Sequence, residues 1–260
     1  MKKIELTRKN IYKGHLILVN QQYPIYQKEI IKNHRFVPVD EVCEDIFLEV
    51  RSAVMLSQLI KACKAEDSIV PISGYRSLQE QQEIFQNSMR ENGEAFTLKY
   101  VALPNCSEHQ TGFAIDVAEK KQDIDFICPD FPYHGICQKF RERAADFGFI
   151  ERYQKGKERI TGIGQEPWHF RYVGYPHSKI IENLKLTLEE YIDLLRNHIY
   201  NKNPLLFQEK GREIQVSYVN LIEGNSVAIQ EPNGMWQISG NNVDGGIITV
   251  WGENYERQSV

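Results

Sequence analysis

Ser107-Glu-His-Gln-Thr-Gly-Phe-Ala-Ile-Asp-Val-Ala118 is the stretch from which the fold can be read. Its second half alternates, with Phe113, Ile115 and Val117 on one strand face and Ala114, Asp116 and Ala118 on the other. Asp116 therefore leaves the apolar face and is free to hold a ligand. Further along, Pro167 to Val173 alternates in the same way, setting Trp168, Phe170 and Tyr172 against His169, Arg171 and Val173. His169 can thus point into the same cleft as Asp116, and His109 lies seven residues before Asp116.

Two imidazoles and one carboxylate suit zinc, and three protein ligands leave the fourth tetrahedral position open, as catalytic sites do and structural sites do not. Glu166 precedes Pro167 and is expected outside the regular strand, where it can reach a water and act as general base. Taken singly, each motif has an ordinary reading. A His beside aromatic residues is usually a core or surface histidine, and a strand Asp is usually a turn or edge residue; the two motifs together argue for a metal. No His-Glu-x-x-His helix occurs in the sequence, so a zinc hydrolase here uses another architecture.

Ser107-x-His109-x-x-Gly112-x-x-x-Asp116, Glu166-x-x-His169 and the upstream Ser73-Gly-Tyr-Arg-Ser77 resemble the zinc D-alanyl-D-alanine peptidases of the VanX, VanY and VanXY group. The strings Val101-Ala-Leu-Pro104, Ile160-Thr-Gly-Ile163 and Pro167-Trp-His-Phe-Arg-Tyr-Val-Gly174 are most similar to the VanXY type, which combines two activities and is linked to vancomycin resistance. The similarity spans roughly Ile4 to Arg196. It implies His109, Asp116 and His169 as zinc ligands and Glu166 as the base that returns its proton to the leaving amine. It also implies Arg76 at the substrate carbonyl, Ser107 at the free carboxylate of the terminal D-residue, and Gln81 as a further substrate contact. A permanently charged, planar guanidinium suits charge developing on oxygen. The plainer alternatives are a solvated Arg at a strand-to-helix corner, a polar Ser-Glu-His loop, and surface glutamines at Gln81 and Gln82. Within enzymes the second reading is an L,D-peptidase or cell-wall endopeptidase on the same scaffold, because ligands alone do not choose the bond. Outside enzymes it is a zinc-stabilised binding module, against which the presence of both Glu166 and Arg76 argues.

The 260 residues are 42% hydrophobic and 25% charged, which describes an ordinary globular chain with a sizeable core and excludes disorder. A net charge of -4 with no basic run offers no footprint for nucleic acid or an anionic membrane. Met1-Lys-Lys is followed by mixed polar residues rather than an apolar run, so a cytoplasmic location is expected. In the resembled group that location goes with peptide precursors ending in D-Ala-D-Ala as substrates. Five cysteines without a Cys-x-x-Cys pair fit reduced thiols, and Cys128, His134 and Cys137 are only a weak outline of a second metal site.

Around the two motifs, Leu16 to Val19 reads as a strand and Glu49 to Ala65 as a helix packed on a sheet. Ser68 to Ser73 reads as a strand, and Ser77-Leu-Gln-Glu80 as a capping box opening a helix to about Asn92. Gly135 to Gly148 is expected helical, Phe149 to Tyr153 extended, and Lys155-Gly-Lys-Glu158 a loop edging the cleft as a lid. Ser178 to about Tyr200 is expected to be helical, with a second capping box at Thr187-Leu-Glu-Glu190. Beyond Asn203 short alternating runs are separated by Glu223-Gly-Asn225, Pro232-Asn-Gly234 and Asp244-Gly-Gly246 turns. The expected fold is α+β: a small antiparallel sheet carrying the zinc site, helices packed on it, and a C-terminal antiparallel β extension. The expected division is a catalytic domain over 1–203 and an extension over 204–260, the latter serving packing or homodimer formation rather than chemistry.

Overall fold

A computed structural model describes residues 2–25, 34–40, 43–209, 211–222 and 226–252. In chain order the strands are β1 (Lys3–Thr7), β2 (Phe36–Pro38), β3 (Phe47–Glu49), β4 (Ile69–Ser73), β5 (Ala114–Glu119), β6 (Phe149–Tyr153), β7 (Glu166–Tyr172), β8 (Leu205–Glu209), β9 (Arg212–Asn220), β10 (Ser226–Gln230), β11 (Met235–Gly240) and β12 (Gly245–Trp251). The α-helices are α1 (Val50–Cys63), α2 (Leu78–Glu91), α3 (Glu94–Tyr100), α4 (Gly135–Ala144), α5 (Glu158–Thr161), α6 (His177–Leu184) and α7 (Leu188–Leu195). None of the described helices is long and apolar enough to cross a membrane. The mixture of helices with antiparallel sheets is the expected α+β class.

The chain forms two compact units, one of Val19–Thr187 and one of Met1–Leu18 with Leu188–Val260. In the larger unit, β4-β5-β7-β6 make an antiparallel sheet. The register sets Ser73 opposite Asp116 and Asp116 opposite His169, so two of the expected ligands face each other across the central strands. α1 and α4 pack together behind this sheet, where Leu56, Leu59, Val117 and Phe149 are buried. Phe131, Phe140 and Phe170 meet edge to face there, with ring centres 5.0 to 5.6 Å apart. Phe170 thus anchors β7 in the core while its neighbour His169 turns the other way.

Local chemistry sets the ends of the elements. The Glu49 carboxylate caps α1 by accepting from the backbone of Arg51 and Ser52, and Lys64 closes it in the left-handed region. The capping box expected at the start of α2 is formed, with Glu80 N donating to Ser77 Oγ and Ser77 N to Glu80 Oε2.

In the smaller unit β11-β12-β9-β8 form a second antiparallel sheet, while β1 pairs with β10. Leu6 and Ile11 share a cluster with Val219, Leu221, Ile229 and Ile248. The unit therefore recruits the N-terminal arm and α7 as well as the tail, which differs from a boundary at residue 203. Strand pairing and apolar burial, not sequence order, set its limits. Of the expected turns, Glu223-Gly-Asn225 lies outside the described residues.

Two expectations are corrected. Leu16 to Val19 is buried but is not a strand, because its groups pair singly with the end of β11 and the residues after it: Leu18 N donates to Asn241 O, Leu16 N to Ser239 Oγ, and Asn242 Nδ2 to Leu18 O. The helical stretch expected over 178–200 is divided and ends at Leu195: Lys185 closes α6 in the left-handed conformation with φ 53°, and α7 starts at Leu188, within the second expected capping box.

Candidate active site

A short 3₁₀ turn, Glu108–Thr111, carries His109 into the sheet and ends at Gly112. Gly112 has φ 72°, and a Cβ there would lie 2.4 Å from the Phe36 ring, so only glycine fits. Its carbonyl accepts from Glu49 N and Ser52 Oγ, which ties the turn to the start of α1. On the other side, the corner between β4 and α2 grips His109 twice. His109 Nδ1 donates to Gly74 O at 2.7 Å, and Arg76 N donates to His109 O at 3.2 Å. With its proton on Nδ1, the ring presents the Nε2 lone pair to the cleft.

The three expected ligands converge. His109 Nε2 lies 3.1 Å from Asp116 Oδ2, His169 Nδ1 lies 3.0 Å from Asp116 Oδ1, and all three side chains are buried. Their donor atoms fall within 4.8 Å of one another. Tetrahedral ligands about 2.1 Å from an ion stand roughly 3.4 Å apart, so the set is compatible with a metal as it stands. Asp116 Oδ1 is buried without a hydrogen bond among the described residues, as a carboxylate awaiting a cation would be. No other group of three ligating side chains assembles among the described residues, so Cys128, His134 and Cys137 form no second site.

Glu166 is the first residue of β7 rather than outside it. The register of β6 and β7 shifts between Glu151 and Tyr153, and this irregularity frees Glu166 from strict alternation. Its carboxylate lies 3.5 Å from His169 Nδ1, and Trp168 lines the same cavity as His169. The alternation expected along β7 is kept from His169 onward. Burial pushes Glu166 up to about 8, with Asp116 and Glu108 adding to the rise and His169 and Arg76 opposing it. A buried acid poised near neutrality is what proton transfer requires.

Burial also favours neutral imidazoles. It lowers His109 to about 4, with Arg76 acting in the same sense, so this ring is ready to ligate. At His169 burial is outweighed by the carboxylates of Asp116 and Glu108, which raise it to about 9 in the metal-free protein. Burial would lift Asp116 too, but His109 and His169 hold it well below the usual carboxylate range.

Arg76 donates through Nη2 to Asp116 Oδ2 at 2.9 Å and through Nε to Ser73 Oγ at 2.8 Å, so it lies beside the donor set. Gln81 does not line the cavity. It is fully buried, its Oε1 accepting from Arg76 Nη1 and its Nε2 donating to Ala102 O, so it holds Arg76 rather than facing solvent. Ser107 does line the cavity, which encloses about 370 Å³. The helix face Ile84, Asn87, Ser88 and Glu91 forms its long wall. The loop at Lys155 does not edge this cleft. Lys155 lines a separate cavity with Tyr133, Glu151 and Gln165, while Phe126 and Ile127, between β5 and α4, stand at the cleft itself.

Sequence reasoning missed Glu108. Its side chain is fully buried, and Oε1 pairs with Arg152 Nε at 2.8 Å and Arg171 Nη1 at 2.9 Å. Burial opposes its charge, but the two arginines overcome that and hold Glu108 far below the usual range. Arg171 shares the His169 face of β7 by alternation, and that was the available signal.

An antiparallel sheet that brings two imidazoles, a carboxylate and a separate poised acid into one cavity defines a hydrolytic metal centre. A family model described as VanY, D-alanyl-D-alanine carboxypeptidase, matches residues 45–175. The chain belongs to that peptidase family. It is 43% identical over 181 residues to the bifunctional D-Ala-D-Ala dipeptidase and D-Ala-D-Ala carboxypeptidase VanXYC of Enterococcus gallinarum, covering 69% of this chain and 94% of that one. Among solved structures, the vancomycin resistance D,D-dipeptidase VanXYg in complex with a D-Ala-D-Ala phosphinate analog matches with a TM-score of 0.92 and 48% identity. That match covers 96% of this chain and 99% of the other. VanYB in complex with D-alanine-D-alanine matches at TM-score 0.56 and 30% identity, over 69% of this chain and 97% of its own.

Proposed function

We propose that this chain is a zinc-dependent enzyme with two activities, hydrolysis of the free D-Ala-D-Ala dipeptide and removal of the terminal D-Ala from peptidoglycan pentapeptide precursors, as in vancomycin resistance. The observation that carries the reading is the meeting of Glu166, Arg76 and Ser107 with the His109, Asp116 and His169 donor set on one cavity. His109, Asp116 and His169 would hold the metal. Zinc bound there supplies Lewis acidity toward the carbonyl and lowers the pKa of a water. Glu166 accepts a proton from the attacking water and delivers it to the leaving amine nitrogen. Arg76, positioned by Gln81, faces the oxygen on which charge develops. Ser107 binds the free terminal carboxylate.

The carboxypeptidase activity draws support from the length of the cavity. Its wall follows α2 from Ile84 to Glu91, about 10 Å at 1.5 Å per residue, against roughly 7 Å for two fully extended residues. Selectivity follows from the bond that is cut. A terminus ending in D-lactate turns an amide N–H into an ester oxygen, and a site that pairs the N–H rejects such an analogue by about 10⁴ or more. A terminus ending in D-Ser adds only a hydroxyl, and discrimination of about 10² is expected.

The test follows released D-alanine from D-Ala-D-Ala and from the nucleotide-linked pentapeptide, with and without chelator. Both are hydrolysed, and the chelator stops both. Release from neither substrate by zinc-loaded protein overturns the reading, and hydrolysis of the dipeptide alone reduces it to a dipeptidase.

A further inference from the structure

Metal ligation through one nitrogen of an imidazole leaves the proton on the other, and that N–H needs an acceptor when it is buried. For His109 the acceptor is the Gly74 carbonyl. For His169, whose Nδ1 faces Asp116, the outward nitrogen is Nε2, and it lies 3.6 Å from Glu108 Oε2. Glu108 Oε2 makes no hydrogen bond among the described residues and is fully buried. The other oxygen of the same carboxylate is clamped by Arg152 and Arg171. The arginines thus fix Glu108 by one oxygen and leave the second aimed at the ring.

We infer that Glu108 is a positioning residue for the metal centre: held by Arg152 and Arg171, it accepts the His169 Nε2 proton and so sets the tautomer and ring angle with which His169 Nδ1 meets the metal. The inference rests on His169 being a ligand, as proposed above. Three elements contribute, namely the 3₁₀ turn that also carries His109, β6 through Arg152 and β7 through Arg171. The two imidazoles are therefore oriented by different means, one by a backbone carbonyl and one by an ionic cluster. An acceptor that carries a full charge also makes His169 the more electron-rich donor of the two.

The experiment measures zinc affinity of the full chain by competition with a chromophoric chelator, and records the visible spectrum of the cobalt-substituted protein. Glu108→Gln is expected to bind zinc about 10–100-fold more weakly and to shift the cobalt bands, because the amide can turn its NH₂ toward His169. Should Glu108→Gln fail to fold with two arginines left facing a neutral partner, Glu108→Asp keeps the charge but draws the carboxylate back from the ring. It is expected to show the same weakening. A cluster that serves only to brace the sheet would lower the melting temperature of these variants while leaving affinity and cobalt spectrum at wild-type values. That outcome in a folded variant overturns the inference. Stoichiometric, tight zinc in His169→Ala instead overturns the ligand assignment, so the two failures are distinguishable.

Discussion

At the scale of one residue, the proposed base Glu166 is a buried acid whose surroundings disfavour its charged form. Glu166→Gln keeps the size and removes the proton carrier, so turnover is expected to fall at least about 10²-fold while bound metal stays stoichiometric. Loss of metal with retained activity per ion would make Glu166 a ligand instead. The same substitution has a signature in the metal-free protein. With its folded value raised to about 8 against roughly 4.3 for a free carboxylate, Glu166 is penalised for releasing its proton only when folded. Its contribution to stability is therefore full below about pH 4 and is lost as pH rises through 8. A glutamine side chain cannot ionise, so the melting temperature of Glu166→Gln relative to wild type is expected to rise between about pH 5 and pH 8. A difference that stays constant across that range would argue against a buried, ionisable Glu166. Arg76→Ala is expected to lower kcat by about 10²-fold or more with Glu166 and the donor set in place, as a lost oxyanion donor does. An unchanged kcat would remove Arg76 from the reaction.

At the scale of the element, the 3₁₀ turn between Ser107 and Gly112 is where fold and site are one object. Gly112→Ala places a Cβ against Phe36 at a backbone angle unfavourable for alanine, and a destabilisation of about 1–3 kcal/mol is expected in urea unfolding. Stability equal to wild type would mean that the turn adapts without cost. Much of this element was legible in advance. Asp116 and His169 could be placed because period-two alternation in β5 and β7 sorts side chains into two faces, and Ser77 with Glu80 announced the start of α2. Glu108 was not legible, since beside His109 it reads as one more polar turn residue, and its partners come from two other strands. Leu16 to Val19 misled for a different reason: an apolar run signals burial, and only the partners of its backbone decide between a strand and a threaded segment. Lys185 ends α6 at a left-handed angle without the glycine that advertises a break, so the sign of a division in the sequence is the helix start patterned in Thr187-Leu-Glu-Glu190.

For the whole molecule the prediction concerns where the chain can be cut. Every group named in the reaction lies within Val19–Thr187, so we expect a fragment of those residues to fold and bind one zinc per chain. A fragment of residues 1–203 should behave worse, although longer, because it keeps β1 and Ile11 but lacks β10 and the Val219, Leu221, Ile229 and Ile248 side that covers them. Cooperative thermal unfolding and metal analysis of the two fragments decide this. A well-behaved 1–203 fragment beside an unfolded 19–187 fragment would restore a division at residue 203.

The pairing of Asp116 with His169 across the centre of the sheet also bears on how the protein is made. A chain leaving the ribosome presents His109 and Asp116 well before His169, and until β7 has emerged and zipped onto β5 it offers only two of the three ligands. Contacts so distant in sequence form late. On the proposed ligand set, a complete coordination shell is therefore expected only once translation has passed β7, and a polypeptide ending before it carries an unfinished site.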